Sequence, residues 1–443
     1  METHATIALL CLLCLTQLHG SAAITAGTAD GMERWGYVEI RPKANMFWWY
    51  YQSPQRVSSP HKPWPTILWL QGGPGGSGVG RGNFLEIWPL DVNLNPRNWT
   101  WLHKADLIFV DSPVGVGYSY VEDPSVLVKT DLQAAMDVTE LLKALTKEIP
   151  TLQGSPLYLV GESYGGKIAT IIGVSMARAI RAGTIKLTLG GVVLGDSWIS
   201  PDDFALSYPW LLRGMSRMDD NAFHKAIMMA VKVKQEMAAG QFTVALKTWT
   251  DLLDWIDAKS GGVNMDNFMI DDSMSLVLLG LRTRLASSSS SSQEIDSGPN
   301  TINGIMNGVI REKLKIIPKD VTWQDVSLQV YDALANDFMK PAIDEVDELL
   351  ALGVNVMVYN GQLDVICSTS GVEAWVQKLK WEGLHKFLSL PRNPLHYCRP
   401  YNQTNAFVRS YKNLHFYWVL GAGHMVPVDQ PCTAVNMISS IVQ

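Results

Sequence analysis

Residues 157–167 read LYLVGESYGGK. A short apolar run leads into Gly161-Glu162-Ser163-Tyr164-Gly165. A helical pattern, GKIATIIGVSMARAIRAG, then continues to near Gly183. Strand, tight turn and helix in that order form an elbow that lifts a serine hydroxyl above the carboxyl end of a strand. The motif G-x-S-x-G alone is weak, arising by chance in roughly one chain in five of this length. The bland alternative is a strand-to-helix turn with a capping serine; the flanking elements favour a nucleophile. Glu162 raises a question, because reactions at an activated serine build negative charge nearby.

Outward from this stretch, other apolar runs end at Gly, Asp or Asn: MFWWYY (46–51), TILWLQGG (66–73), LIFVDSP (107–113), GVVLGDS (191–197), VNVMVYNG (354–361) and HFYWVLGAG (415–423). Near-continuous hydrophobicity is the mark of strands buried on both faces. Helical patterns alternate with them, including LVKTDLQAAMDVTELLKALTKEI, which stops at Pro150. The expected fold is α/β: a mostly parallel central sheet with helices on both sides. The alternation breaks over 202–345, a Met-rich, helical stretch such as AFHKAIMMAVKVKQEMAAG. It is expected to be a cap inserted between core segments 24–201 and 346–443. Within it, the polar serine-rich tract 286–304 buries too little to order itself and is expected to be a flexible loop.

The chain has 443 residues, 47% of them apolar, and a net charge of −6. That length buries a large core. No basic run appears, which argues against a nucleic-acid partner. The apolar run from Ala5 to about Leu18, followed by small residues, predicts a signal peptide ending near residue 23, although its n-region carries Glu2 and no Lys or Arg. No later stretch is long enough for a membrane anchor. The mature chain is therefore expected in a secretory or lysosomal lumen. Cys367, Cys398 and Cys432 remain after the signal, which allows at most one internal disulfide and one free thiol. Asn98-Trp99-Thr100 and Asn402-Gln403-Thr404 are N-glycosylation sequons.

An elbow serine needs a histidine to take its proton and an acid to orient that histidine. Asp364 in VNVMVYNGQLDVIC and His424 in HFYWVLGAGHMVP lie just beyond strands, where catalytic groups collect in parallel sheets. Their order after Ser163 is serine, acid, histidine. Either could singly be a turn residue; three agreeing placements favour a catalytic set. The oxyanion needs N–H donors. Tyr164, after the nucleophile, supplies one, and Gly73 in WLQGGPGGSG supplies the other. The same loop contains Gly73-x-Gly75-x-x-Gly78, a dinucleotide fingerprint. That reading fails on Pro74, on the lack of a clear helix in VGRGNFLEIWPL, and on the lack of a quick second strand. No His or Cys spacing suits a metal.

WLQGGPGGSG, FLEIWP, VDSPVGVGYSY, GESYGGK, GDSWISP, NGQLDVIC and GAGHMVPVDQP together resemble the serine carboxypeptidases, and within them the retinoid-inducible branch. These motifs run from roughly 35 to 435 in the family's order. The resemblance implies an α/β-hydrolase core, no cofactor, and removal of C-terminal residues from peptides with a free C-terminus at acid pH. Carried over by position, Ser163 is the nucleophile, His424 the base and Asp364 its orienter. Gly73 and Tyr164 form the oxyanion hole. Gln71, Gly72, Glu86 and Glu162 bind the substrate's terminal carboxylate. Gln71 stands where most members carry asparagine, one methylene shorter. Gly76 stands where many carry a cysteine. Cys367 stands where some keep a free thiol, which leaves Cys398 and Cys432 as the disulfide.

The resemblance gives Glu162 a purpose. Two carboxyls in contact cannot both ionise cheaply, so one keeps its proton. A half-protonated pair can donate a hydrogen bond to a third carboxylate. Two other readings share these residues. One is an acyltransferase or esterase on the same triad; the other is a binding or scaffold protein with little turnover.

Overall fold

The structure is a computed structural model that describes residues 23–57, 59, 62–87, 89–271, 298, 301–398 and 403–442. The expected signal peptide up to residue 22, Asn402 and most of the serine-rich tract lie outside these residues.

The described residues contain a 12-stranded sheet. Its strands are β1 (Ala23–Gly27), β2 (Glu33–Arg41), β3 (Ala44–Tyr51), β4 (Thr66–Leu70), β5 (Asp106–Val110), β6 (Tyr120–Val121), β7 (Pro156–Glu162), β8 (Thr188–Gly195), β9 (Val356–Gly361), β10 (Asn393–Leu395), β11 (Ala406–Tyr411) and β12 (Leu414–Val419). The order is β1-β2-β3-β5-β4-β7-β8-β9-β12-β11-β10, with β6 beside β3. From β5 to β12 all neighbours are parallel. The flanks, β1–β3 and β10–β11, are antiparallel. Every apolar run singled out in the sequence is a strand of this sheet.

Alternate side chains serve opposite faces. In β4, Leu68 and Leu70 join one core, while Ile67 and Trp69 join the other. The first core packs under helices α1 (Asp131–Glu148) and α2 (Tyr164–Arg181). Thr130 caps α1 by accepting from the Gln133 N–H, satisfying one of the donors that a helix start leaves open. Pro150 follows its end, and Gly183 follows the end of α2. The second core is closed by residues around Ile305 and Ile310 and by α7 (Pro431–Ile441).

The stretch 202–345 is largely helical where described. It includes α3 (Pro201–Gly214), α4 (Asp220–Ala238) and α5 (Phe242–Ser260), and α6 (Ile343–Ala351) then returns to pack on α2. Thr301 accepts from the Gly304 N–H (3.2 Å) and opens a helical turn at Ile302. The last residues of the expected 286–304 loop are thus folded.

One expectation needs correction. VGRGNFLEIWPL is not loop: Gly78–Ile87 is a helical segment wound with wide π-type turns. Three glycines make it a poor helix by propensity. Tertiary contacts impose it instead. Asp111, at the end of β5, accepts from Val79 N (3.1 Å) and from Ser77 Oγ (2.5 Å). Ser77 Oγ in turn accepts from Gly80 N (2.9 Å). The donors that a pyrophosphate would need at this helix start are already taken, so the dinucleotide reading still fails, on occupied N–H groups in place of a missing helix.

Candidate active site

The triad, the glycine-loop residues and Glu162 sit at the carboxyl ends of parallel strands, whereas Glu86 lies in the Gly78–Ile87 helical segment. Gln71, Gly72 and Gly73 follow β4, Ser163 follows β7, Asp364 follows β9 and His424 follows β12. Gln71, Gly72, Gly73, Glu162, Ser163 and His424 line one cleft, together with Arg81, Asp266 and Met425.

Ser163 stands at φ +56°, ψ −126°, a conformation that an L-residue adopts only when its surroundings hold it there. Its N–H donates to Gly195 O (3.0 Å), and its C=O accepts from Trp198 N (2.9 Å) and Gly166 N (3.1 Å). Gly165 is needed because the helix start presses on β4: a Cβ there would lie 2.1 Å from Leu70 O. The glycine loop is pressed on the serine as closely, since a Cβ on Gly72 would lie 2.6 Å from Ser163 Cβ. Two N–H groups beside the serine have no protein partner to give up. Among the described residues the Gly73 N–H has no acceptor. The Tyr164 N–H belongs to the first turn of α2, which has no intrahelical acceptors.

His424 Nδ1 is 2.8 Å from Asp364 Oδ2, and both side chains are buried. Asp364 Oδ1 accepts from Cys367 N (3.1 Å). Met265 and Asp266, from the 202–345 stretch, fix both loops. Met265 O accepts from Val365 N and Ile366 N (3.1 and 2.8 Å), and Asp266 O accepts from His424 N (2.7 Å). Burial pushes the imidazole down, but Asp364, then Asp266 and Glu86, attract its charged form and hold it at about 9. Burial raises Asp266 to about 6.

Glu86 and Glu162, each 1% exposed, face one another behind the serine. Gln71 Nε2 donates to Glu162 Oε1 (2.9 Å), and Gln71 Oε1 accepts from Trp69 Nε1 (2.8 Å). The one amide of Gln71 thus bridges Trp69 and Glu162. Both Glu86 oxygens and Glu162 Oε2 lack a conventional donor. Two facing carboxyls hydrogen-bond only when one holds a proton. Burial, the Glu86 charge and a hydrogen bond to Glu86 hold Glu162 well above the ordinary carboxylate range. Burial raises Glu86 too, opposed by its contacts with Glu162 and Gln71 and by the Arg81 charge. The two titrate as a pair.

The fold adds groups that the sequence reading did not single out. Asp196, in GDSW at the end of β8, stands at φ +41° and is fully buried. Its Oδ1 accepts from Gly361 N (2.7 Å) and its Oδ2 has no conventional donor. Burial, the Asp364 charge and a hydrogen bond to Asp364 keep it protonated well above the ordinary range. The motif GDSW was the available signal. Arg81 and Asp325 form an ion pair beside the cleft, 244 positions apart, and Asp266 comes from the 202–345 stretch.

Asp364, Cys367 and His424 bring potential metal-ligand atoms within 4.8 Å of one another. Two of these groups are already bonded together. Burial and the Asp364 charge push the Cys367 thiol well up, so it holds its proton rather than serving as a thiolate ligand. Elsewhere, Asn98 is exposed, and Cys398 and Cys432 are joined with their Cα atoms 6.1 Å apart. No helix among the described residues is long and apolar enough to cross a membrane.

The chain is 51% identical over 99% of its length to serine carboxypeptidase-like 51 of Arabidopsis thaliana, covering 98% of that protein. It is 43% identical over 98% of its length to the retinoid-inducible serine carboxypeptidase of Mus musculus, covering 96%. The crystal structure of a prohormone-processing carboxypeptidase from Saccharomyces cerevisiae superimposes with a TM-score of 0.76 at 21% identity, over 92% of this chain and 90% of that one, a likeness of fold. The family model for serine carboxypeptidase matches residues 25–443, and the chain belongs to that family.

Proposed function

We propose that the protein releases C-terminal amino acids from peptides at acid pH, with Ser163 forming an acyl-enzyme. Ser163 Oγ attacks the last peptide carbonyl and passes its proton to His424. Asp364 holds the His424 Nδ1–H and stabilises the imidazolium. The N–H groups of Gly73 and Tyr164 hold the oxyanion. His424 returns the proton to the leaving amine, and water repeats the steps in reverse to free the shortened peptide.

The observation that carries this reading is the buried glutamate pair directly behind the serine. The protonated pair, the Gln71 amide and the Gly72 N–H receive the substrate's terminal carboxylate. Ionisation of the pair at higher pH repels it, so binding weakens as pH rises. His424 sets the opposite limit, because only its neutral form is a base. Protonation of Asp266 and Glu86 removes two of the charges that hold the imidazole up, and a bound substrate adds burial. The base form therefore becomes available at lower pH once the cleft is filled.

The finer parts of the reading belong together. Segment 202–345 acts as a cap, whose Asp266 walls the cleft and whose Asp325 holds Arg81 there. The signal peptide near 1–23 sends the chain to a secreted or lysosomal destination, with Asn98 and Asn402 as glycan sites. Its partners are peptides with a free C-terminus, and neither nucleic acid nor a membrane anchor is involved. Fluorophosphonate labelling tests the nucleophile: wild-type protein is labelled and Ser163→Ala is not. Labelling that persists in Ser163→Ala would place the nucleophile elsewhere.

A further inference from the structure

Arg81 is a cation built into the cleft, yet it belongs to neither the triad nor the glutamate pair. Its side chain is only 15% exposed. The backbone places it one turn into the Gly78–Ile87 helix, which Asp111 and Ser77 anchor. One edge of its guanidinium is committed, because Nε and Nη2 both go to Asp325, with Nε 3.3 Å from Oδ1. The remaining nitrogen, Nη1, makes no hydrogen bond to the described protein, and Arg81 lines the same cleft as Ser163, Gln71 and Glu162. A guanidinium held by one edge with the other edge free is a preorganised fork for a carboxylate.

The charge balance of the cleft gives that edge a task. Facing Arg81 are Asp325 across the ion pair, Glu86 on its own helix, Glu162 from β7, Asp266 from the cap, and His424 from the turn after β12. A substrate carboxylate entering this company is a buried anion among acids. Without a counter-charge its desolvation is unfavourable. Protonated glutamates can donate to it but supply no positive charge, and they lose even that role as they ionise. Arginine keeps its charge throughout.

We propose that the free edge of Arg81 is a cationic subsite for the substrate's terminal carboxylate, one that takes over from the glutamate pair as pH rises. The proposal rests on reading the cleft as a receptor for a free C-terminus. It implies a division of labour: the Glu86–Glu162 pair dominates recognition at acid pH, and Arg81 sets how far activity extends toward neutrality.

The test uses an N-acylated dipeptide and its methyl ester, assayed from pH 4.5 to 7.5. The readout is the ratio of kcat/KM for the free acid to kcat/KM for the ester. In Arg81→Gln that ratio should fall roughly 10- to 100-fold at pH 7, the loss of one charge-assisted hydrogen bond to a buried anion, and only a few-fold at pH 5. Arg81→Lys, which keeps the charge without the fork, should recover part of the loss. Arg81→Gln with Asp325→Asn removes both halves of the ion pair, so that no buried acid is stranded, and should show the same fall. A wild-type ratio at pH 7 in both the single and the double variant would overturn the proposal. Glu162→Gln, run alongside, separates the two ideas. If it leaves the ratio at pH 5 unchanged, the glutamate reading fails while the Arg81 result still stands or falls by itself.

Discussion

Replacing Glu162 with Gln is nearly isosteric, and the structure fixes what it changes. Gln71 Nε2 keeps an oxygen to donate to in place of Glu162 Oε1, now 2.9 Å away. The second position becomes an NH2 facing Glu86, a donor at every pH. At acid pH the wild-type pair offers the substrate a carboxylic O–H, whose bond to a carboxylate is shorter and stronger than the one an amide N–H makes. Losing that difference, about 1–2 kcal/mol on a scale where 1.36 kcal/mol is tenfold, should cut peptide kcat/KM roughly 5- to 30-fold near pH 5. At neutral pH the sign reverses. The ionised wild-type pair adds a second negative charge beside the substrate carboxylate, on the order of 4 kcal/mol at 4 Å and an effective dielectric of 20. The variant lacks that charge. Its peptide profile should therefore be flatter, with the deficit shrinking below about threefold, or reversing, by pH 7. Initial rates on an N-acylated dipeptide across pH 4.5–7.5 provide the assay. Parallel profiles for variant and wild type, whatever their absolute ratio, would refute the pair as the carboxylate reader.

Other expectations follow from the same geometry. Gly165→Ala puts a Cβ 2.1 Å from Leu70 O, with backbone on both sides, so it should destabilise the protein by more than about 3 kcal/mol in denaturant unfolding or prevent soluble expression. Stability close to that of wild type would show the elbow to be less tightly packed than described. Asp196→Asn keeps an acceptor for Gly361 N and a donor for Asp364, and asparagine tolerates the left-handed backbone. It should retain kcat within about threefold, whereas Asp196→Ala loses tenfold or more at little changed KM, as expected for a group that positions the triad acid. Equal losses would show that the proton donated to Asp364 is not what matters. For an ester substrate, the acid limb should lie at lower pH in kcat than in kcat/KM, because kcat reports the substrate-filled site. Coincident limbs would mean that filling the cleft does not lower His424 from its resting value of about 9.

The parallel strands were legible because burial on both faces leaves runs such as TILWL and VMVYNG almost wholly apolar. The triad was legible for the same reason, since each member ends one of those runs. Of the antiparallel flanks only β3, with its run MFWWYY, was legible. β2 mixes Glu33, Arg34 and Gly36 with buried residues, and β10 contains Pro394. The helix Gly78–Ile87 was hidden because its own residues disfavour helix; packing against Trp323 and hydrogen bonds donated to Asp111 impose it. At Gly80, a Cβ would strike the Trp323 ring at 2.1 Å. Arg81, Asp266 and Asp325 escaped notice because their meeting depends on how the 202–345 stretch returns to the carboxyl ends of the strands. Asp196 was present in a quoted motif, but its role depends on Asp364 lying beside it, a neighbour 168 positions away.

The central claim is that this serine carboxypeptidase reads a free C-terminus. Mass spectrometry tests it most directly, on a peptide offered at about pH 5 in two forms: with a C-terminal carboxylate and with a C-terminal amide. The account predicts stepwise loss of single residues from the free acid, little or none from the amide, and no loss from either with Ser163→Ala. Equal trimming of both forms, or cleavage inside the chain, would contradict it.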